Sequence, residues 1–125
     1  MYTLEVRRRF VAQHYLVGGD FGLENERHSH CYELHLEMNG SHLDEFGYLV
    51  DIVDVERVLD QVVDRFRDQT LNETPEFRDL NPSIEHFSRI IWENLQRELP
   101  IERLQRLIVR LWENESAGAG YEAPI

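Results

Sequence analysis

The 125-residue chain is poor in three things, and each shortage excludes a class of protein. It has one cysteine, Cys31, so no internal disulfide can form, and the usage agrees with a reducing compartment. It has no apolar run approaching the roughly 20 residues that cross a bilayer. It lacks positive charge: 13 Lys and Arg against 24 Asp and Glu give a formal net charge of −11 and a pI near 4.9. Nucleic-acid binders draw most of their affinity from a basic footprint, and anionic membrane surfaces select for the same feature. Met1 to Arg9 alternates charged and apolar groups, unlike a signal peptide. There is no internal repeat and no low-complexity tract. The expectation is one soluble, cytoplasmic domain spanning 1–125, with no nucleic-acid or membrane partner.

What the chain does contain is periodic. Residues 2–14 alternate as a strand, with Thr3, Glu5, Arg7 and Arg9 facing out. Arg8 breaks the pattern on the inward side, as either an edge position or a ligand contact. Gly18 to Gly22 reads as a flexible connection, 27–39 as a second strand, and Asn39-Gly40-Ser41 as a turn. From Ile52 the period becomes helical, with Ile52, Val55, Leu59, Val62 and Phe66 in one stripe and Asp51 or Asp54 at the N-terminus. Pro82 and Ser83 open a second helix that buries Ile84, Phe87, Ile91, Leu95 and Leu99 and stops at Pro100. Leu104 to Glu115 reads as a third strand. Ser116 to Gly120 reads as a turn, and Tyr121 to Ala123 as a short fourth strand. Two strands, two helices and two strands predict an α+β sheet with both helices on one face. So small an open sheet leaves two exposed edges, which neighbouring subunits can close, so a homo-oligomer is expected.

The chemistry concentrates in Arg27-His28-Ser29-His30 and in His14. Residues two apart on a strand share a face, so His28 and His30 project beside Tyr32, Leu34, Leu36 and Met38. His14 has the parity of Leu4, Val6, Phe10 and Ala12. Three inward imidazoles on neighbouring strands suit an open zinc site, with the fourth position free for water or substrate. Spacing alone leaves two readings: metal ligands, or core histidines satisfied by other partners. Cys31 has the opposite parity and reads as a small, semi-buried residue without chemistry.

Several stretches, in order and nearly end to end, resemble the 6-pyruvoyl-tetrahydropterin synthase and 6-carboxytetrahydropterin synthase family of the tunnelling fold (T-fold). Phe10-Val11-Ala12-Gln13-His14 is similar to its F-x-A-A-H, and His28-Ser29-His30-Cys31-Tyr32 to its H-G-H-x-Y. Gly47-Tyr48-Leu49-Val50-Asp51 is similar to G-x-V-x-D, Leu71-Asn72 to L-N, and Asn81-Pro82-Ser83-Ile84-Glu85 to N-P-T-S-E. Val109-Arg110-Leu111-Trp112-Glu113-Asn114 is similar to V-x-V-x-E-T. The resemblance implies a ββααββ antiparallel sheet closed into a barrel by oligomerisation, as a trimer or hexamer. It implies zinc on His14, His28 and His30. It implies a pterin anchored by Glu113, whose carboxylate would accept from the ring amide and 2-amino groups, with Glu85 assisting. As a first-turn acid, Glu85 also fits a helix-dipole role alone. The implied activity is a lyase acting on the side chain of 7,8-dihydroneopterin triphosphate, in folate or queuosine biosynthesis, with the metal as Lewis acid. At most part of the Arg7-Arg8-Arg9 cluster can meet the triphosphate, because those residues alternate across the strand.

The chain departs from the pattern in its catalytic part. The family's cysteine, four residues before the first histidine of H-G-H, is replaced by Glu24. The Asp-His pair before L-N is also incomplete: Asp68 can stand for the aspartate, but Gln69 follows it. One reading makes Glu24 the general base, with Glu26 in reserve and Asp68 as helper, and suggests retro-aldol cleavage to 6-hydroxymethyldihydropterin. The other makes the chain a paralogue that holds zinc and a pterin or purine but has lost the family reaction.

Overall fold

The computed structural model describes residues 1–125. Strand β1 spans Tyr2–His14, β2 His28–Gly40, β3 Arg106–Trp112 and β4 Gly118–Pro124, with helices α1 (Ile52–Phe66) and α2 (Ile84–Glu98) between the two hairpins. All four strands pair antiparallel in the order β1-β2-β3-β4. The ββααββ sheet with two helices is a T-fold.

One face of the sheet carries the core. Val6, Phe10 and Ala12 of β1, Tyr32, Leu34, Leu36 and Met38 of β2 and Leu107, Val109 and Leu111 of β3 meet Val55, Val58, Leu59, Val62, Val63 and Phe66 of α1 and Phe87, Ile90, Ile91 and Leu95 of α2. Phe87 lies at the centre, with ring centroids 5.2 Å from Tyr32, 5.2 Å from Phe66, 5.6 Å from Phe77 and 6.0 Å from Phe10. Asp51 caps α1 by accepting from the Val53 amide at 2.9 Å, and Ser83 caps α2 by accepting from His86 at 3.1 Å. Arg8 is structural, since its guanidinium donates to Asp60 at 2.7 Å and to Glu56 at 2.8 Å on α1.

Four expectations change. Ile52 lies outside the buried stripe and is exposed, while Val58 and Val63 join it. Strand β3 stops at Trp112 because Asn114 accepts from the amides of Ser116 and Ala117 and bends the chain. Strand β4 begins earlier than Tyr121, because the glycine-rich stretch is a paired edge rather than a turn. Gly118 lies directly under the Trp112 indole, where a Cβ would come within 2.6 Å of the ring. Residues 18–22 are not a loose connection but are hydrogen-bonded from within, as described below.

Register decides where the histidines go. His14 pairs with His28 at the last rung of β1–β2, and Ala12 pairs with His30. Strand β3 reaches β2 only as far as Glu33, so residues 28–32 overrun it. The hairpin therefore ends in a two-stranded tongue whose covered face carries all three imidazoles. The small Ala12 leaves room for the His30 ring. Along the free edge of β1, residues 68–70 add a short parallel segment: Asp68 donates its amide to the Val11 carbonyl, and Gln13 donates to Gln69.

Candidate active site

His14, His28 and His30 present ligand nitrogens that all lie within 4.8 Å of one another. Their ring centroids are 4.6, 4.9 and 5.0 Å apart. Backbone carbonyls, which can only accept, orient two of the rings. The His14 Nδ1–H donates to Pro82 at 3.0 Å, and the His28 Nδ1–H donates to Glu26 at 2.7 Å. That tautomer leaves both Nε2 atoms bare, and they face each other at 3.0 Å. Burial, with His28 and His30 adding, pushes the His14 imidazole down to about 4, so it is neutral at physiological pH. The His30 Nε2 is buried with no hydrogen-bond partner; Glu113 Oε2, at 3.7 Å, is beyond reach.

Two bare lone pairs thus face each other beside the unpartnered His30 Nε2, an arrangement that costs free energy until a cation enters. Tetrahedral zinc at 2.0–2.1 Å from each nitrogen needs N···N separations of about 3.3 Å. The Nε2 atoms of His14 and His28, 3.0 Å apart, are near that spacing, all three ligand nitrogens lie within 4.8 Å, and the carbonyl partners of His14 and His28 supply the outer hydrogen bonds that metal-bound histidines use. The residues present fit zinc.

A cavity of about 170 Å³ opens beside the histidines and is lined by His14, Leu16, Glu24, Asn81, Glu85 and Glu113, among others. Glu113 comes first after β3 and keeps the parity of Leu107, Val109 and Leu111, which aims it at the covered side; it is half-buried. Glu85 sits in the first turn of α2, and Glu24 on the short 3-10 turn Gly22–Asn25. A larger cleft of about 460 Å³ shares His30 and Glu113 and runs along the tongue past Trp112 and Asn114. Tyr32 lies beneath the imidazoles, and burial followed by the Glu113 charge pushes its phenol above the ordinary range.

The fold therefore brings together the three histidines, Glu24, Glu85 and Glu113. It does not bring in the others considered. Asp68 is exposed, in a left-handed conformation (φ 59°), and held by its amide along the β1 edge away from the cavity. Cys31 has the parity expected of the bare face but is exposed there rather than semi-buried; it lines the larger cleft with His30 and Glu113 and is absent from the smaller cavity. Glu26 contributes its carbonyl to His28, and its carboxylate is not part of the cavity lining. Sequence reasoning missed the asparagines that brace the site. Asn72 holds Tyr15 through its amide and carbonyl at 3.0 and 2.8 Å, and Asn81 accepts from Val17 at 2.8 Å. Their only signal was their place in the L-N and N-P stretches.

A T-fold sheet with three convergent imidazoles on its helix-covered face defines a metal-capable pocket flanked by carboxylates. The family model for 6-pyruvoyl tetrahydropterin synthase matches residues 3–124, and the chain belongs to that family. Among solved structures, the 6-pyruvoyl tetrahydropterin synthase of Caenorhabditis elegans superposes with a TM-score of 0.86 at 21% identity, over 98% of this chain and 95% of that one. A Plasmodium vivax 6-pyruvoyltetrahydropterin synthase, a variant in which a catalytic glutamate is replaced by cysteine, matches at TM-score 0.79 and 16% identity over 100% of both chains. A guanine-bound dihydroneopterin aldolase from Burkholderia thailendensis matches at TM-score 0.53 and 11% identity, over 99% of this chain and 89% of that one. No curated protein sequence matches the chain.

Proposed function

We propose that this chain is a zinc-dependent lyase that acts on the side chain of 7,8-dihydroneopterin triphosphate, with Glu24 as the general base. The observation that carries the reading is the convergence of three imidazoles beside a cavity whose lining joins His14 to Glu24 and Glu113. Zinc, held by His14, His28 and His30, supplies Lewis-acid polarisation of the side-chain hydroxyls when bound. Glu113 takes the ring amide and 2-amino N–H donors on its two oxygens, a charge-assisted bidentate pair, and Glu85 supports the same end. The cleft shared by His30 and Glu113 gives the heterocycle room.

Glu24, exposed on its loop, lines the same cavity, where a proton must move. In the retro-aldol version its carboxylate takes the proton of the second side-chain hydroxyl. The bond between the first two side-chain carbons breaks, and its electron pair passes into the ring C=N. Returning the proton to the first carbon leaves 6-hydroxymethyldihydropterin and releases the remainder as an aldehyde. The catalytic glutamate of the Plasmodium vivax relative supports a carboxylate in this role, and the guanine held by the aldolase relative supports a flat heterocycle with the same donor pair. Neither the thiol nor the Asp-His pair of the family pattern is needed. Asp68, as helper, would have to act from outside the cavity of its own chain.

The free edge of β1 ahead of residue 11 and the outer edge of β4 suit pairing between subunits. We place the chain in a homo-oligomer, a trimer or hexamer, that closes the barrel. The test is to incubate the zinc-loaded protein with 7,8-dihydroneopterin triphosphate and identify products by mass. Turnover that vanishes in Glu24→Gln while zinc stays bound supports the reading. Binding without turnover assigns the chain instead to the non-catalytic zinc and pterin binders, a reading favoured by Glu24 standing where the family pattern has its cysteine.

A further inference from the structure

Residues 15–27 form one hairpin loop that leaves the sheet at His14 and returns at His28, two of the three converging imidazoles. Glu24 rides on it, in the 3-10 turn Gly22–Asn25, outside any strand pairing. Asp20 accepts from the Gly22 amide at 3.1 Å, and the Asn25 side chain makes the remaining side-chain bonds within the loop. The Asn25 carbonyl oxygen accepts from the Phe21 amide at 2.7 Å, and its amide nitrogen donates to the carbonyls of Leu16 at 3.0 Å and Gly19 at 3.1 Å. Each bond spans the loop from within. The Leu16 amide donates to the Glu24 carbonyl at 2.8 Å and ties the base of the turn to the strand just past His14. From outside, Asn81 accepts from Val17, and Asn72 grips Tyr15 on both sides.

From this geometry we infer that Asn25 is a positioning residue: it fixes the loop so that the Glu24 carboxylate is presented to the cavity at one depth and angle. The inference rests on the reading of Glu24 as general base. Asn25 touches none of the histidines and is not itself a lining residue, so it acts through the backbone it holds: the Leu16 carbonyl at the cavity wall and the turn that carries Glu24. Only an amide serves. An aspartate keeps the acceptor for Phe21 but turns two donors into acceptors aimed at the carbonyls of Leu16 and Gly19, two repulsive contacts in place of two bonds.

The experiment compares Asn25→Ala, Asn25→Asp and Glu24→Gln in the full zinc-loaded chain. It reads kcat and KM on 7,8-dihydroneopterin triphosphate, zinc per chain, the Kd for a non-reacting pterin, and hydrogen exchange at the Leu16 and Phe21 amides. Displacing a reacting group by about 1 Å costs up to about 100-fold. The expected result is a kcat lowered about 10- to 100-fold in both Asn25 variants, with the aspartate the worse. KM, pterin Kd and zinc content hold within about threefold, and exchange at the two amides quickens. A wild-type kcat in Asn25→Ala overturns the inference, as does a fall in kcat matched by equal losses of zinc and pterin binding, which would make Asn25 merely structural. Full activity in Glu24→Gln removes the base itself, a different failure that the same series tells apart.

Discussion

Strand β2 carries imidazoles in two settings, and the contrast shows what makes a site. His28 and His30 are on the covered face at the tongue, where the register sets them against His14 and Ala12. His35 is on the bare face five residues on, and it too has a buried Nε2 without a hydrogen bond. Its nearest partner is the Glu33 carboxylate at 3.3 Å, and the rest of its surroundings is an ion-paired surface in which Arg110 donates to Glu37 at 3.0 Å. A lone imidazole beside a carboxylate can settle its charge by sharing a proton. Three imidazoles, two of them locked by carbonyls with bare nitrogens face to face, have no such escape. Convergence, not burial or residue type, separates the two.

The largest expected difference is in turnover. His14→Ala, His28→Ala or His30→Ala abolishes product formation from 7,8-dihydroneopterin triphosphate in a mass-resolved assay, whereas His35→Ala leaves it within about twofold. Next comes Glu24→Gln, which lowers kcat by about 10²- to 10⁴-fold, the range of a lost general base, with zinc retained. Glu113→Gln weakens binding of a non-reacting pterin by about 10- to 100-fold in a fluorescence titration, because a charged hydrogen-bond acceptor contributes about 1.5–3 kcal/mol. Phe87→Ala tests the packing under the covered face: a cavity among Tyr32, Phe66 and Phe77 costs about 3–5 kcal/mol in denaturant unfolding. The bare face has no aromatic cluster whose removal compares.

The smallest effect is on acid stability. The His35 imidazole 3.3 Å away, with Arg9 adding against a little desolvation, holds the Glu33 carboxyl below its usual range. A folded value below the unfolded one adds stability that is full above about pH 4.3 and is lost as pH falls through the folded value. His35→Ala therefore flattens the acid limb of the stability curve in that window and leaves neutral-pH stability almost unchanged.

Much of this was legible from period and parity. Alternation on 2–14 and 27–39 located β1 and β2 almost to the residue, and parity alone put His14, His28, His30 and Glu113 on the covered side. Polarity was readable because a strand has only two faces. Strand β4 was harder, since Gly118 and Gly120 carry the composition of a turn, and only the Trp112 indole above Gly118 explains a glycine in a strand. Asp68 looked plausible from its distance to Leu71-Asn72, yet it stands exposed in a left-handed backbone at the β1 edge, outside the cavity lining, a placement that no spacing rule reveals. The ordering of residues 18–22 by Asn25 was hidden for a similar reason: glycines announce permission to bend, not the hydrogen bonds that then hold the bend.

The central claim is that the three converging nitrogens bind one divalent ion and His35 does not. It is tested most directly by counting zinc per chain by elemental analysis in the wild type, His30→Ala and His35→Ala after dialysis against a weak chelator. The account predicts one zinc per chain in the wild type and in His35→Ala, and none in His30→Ala. Zinc absent from the wild type, or retained undiminished in His30→Ala, contradicts it.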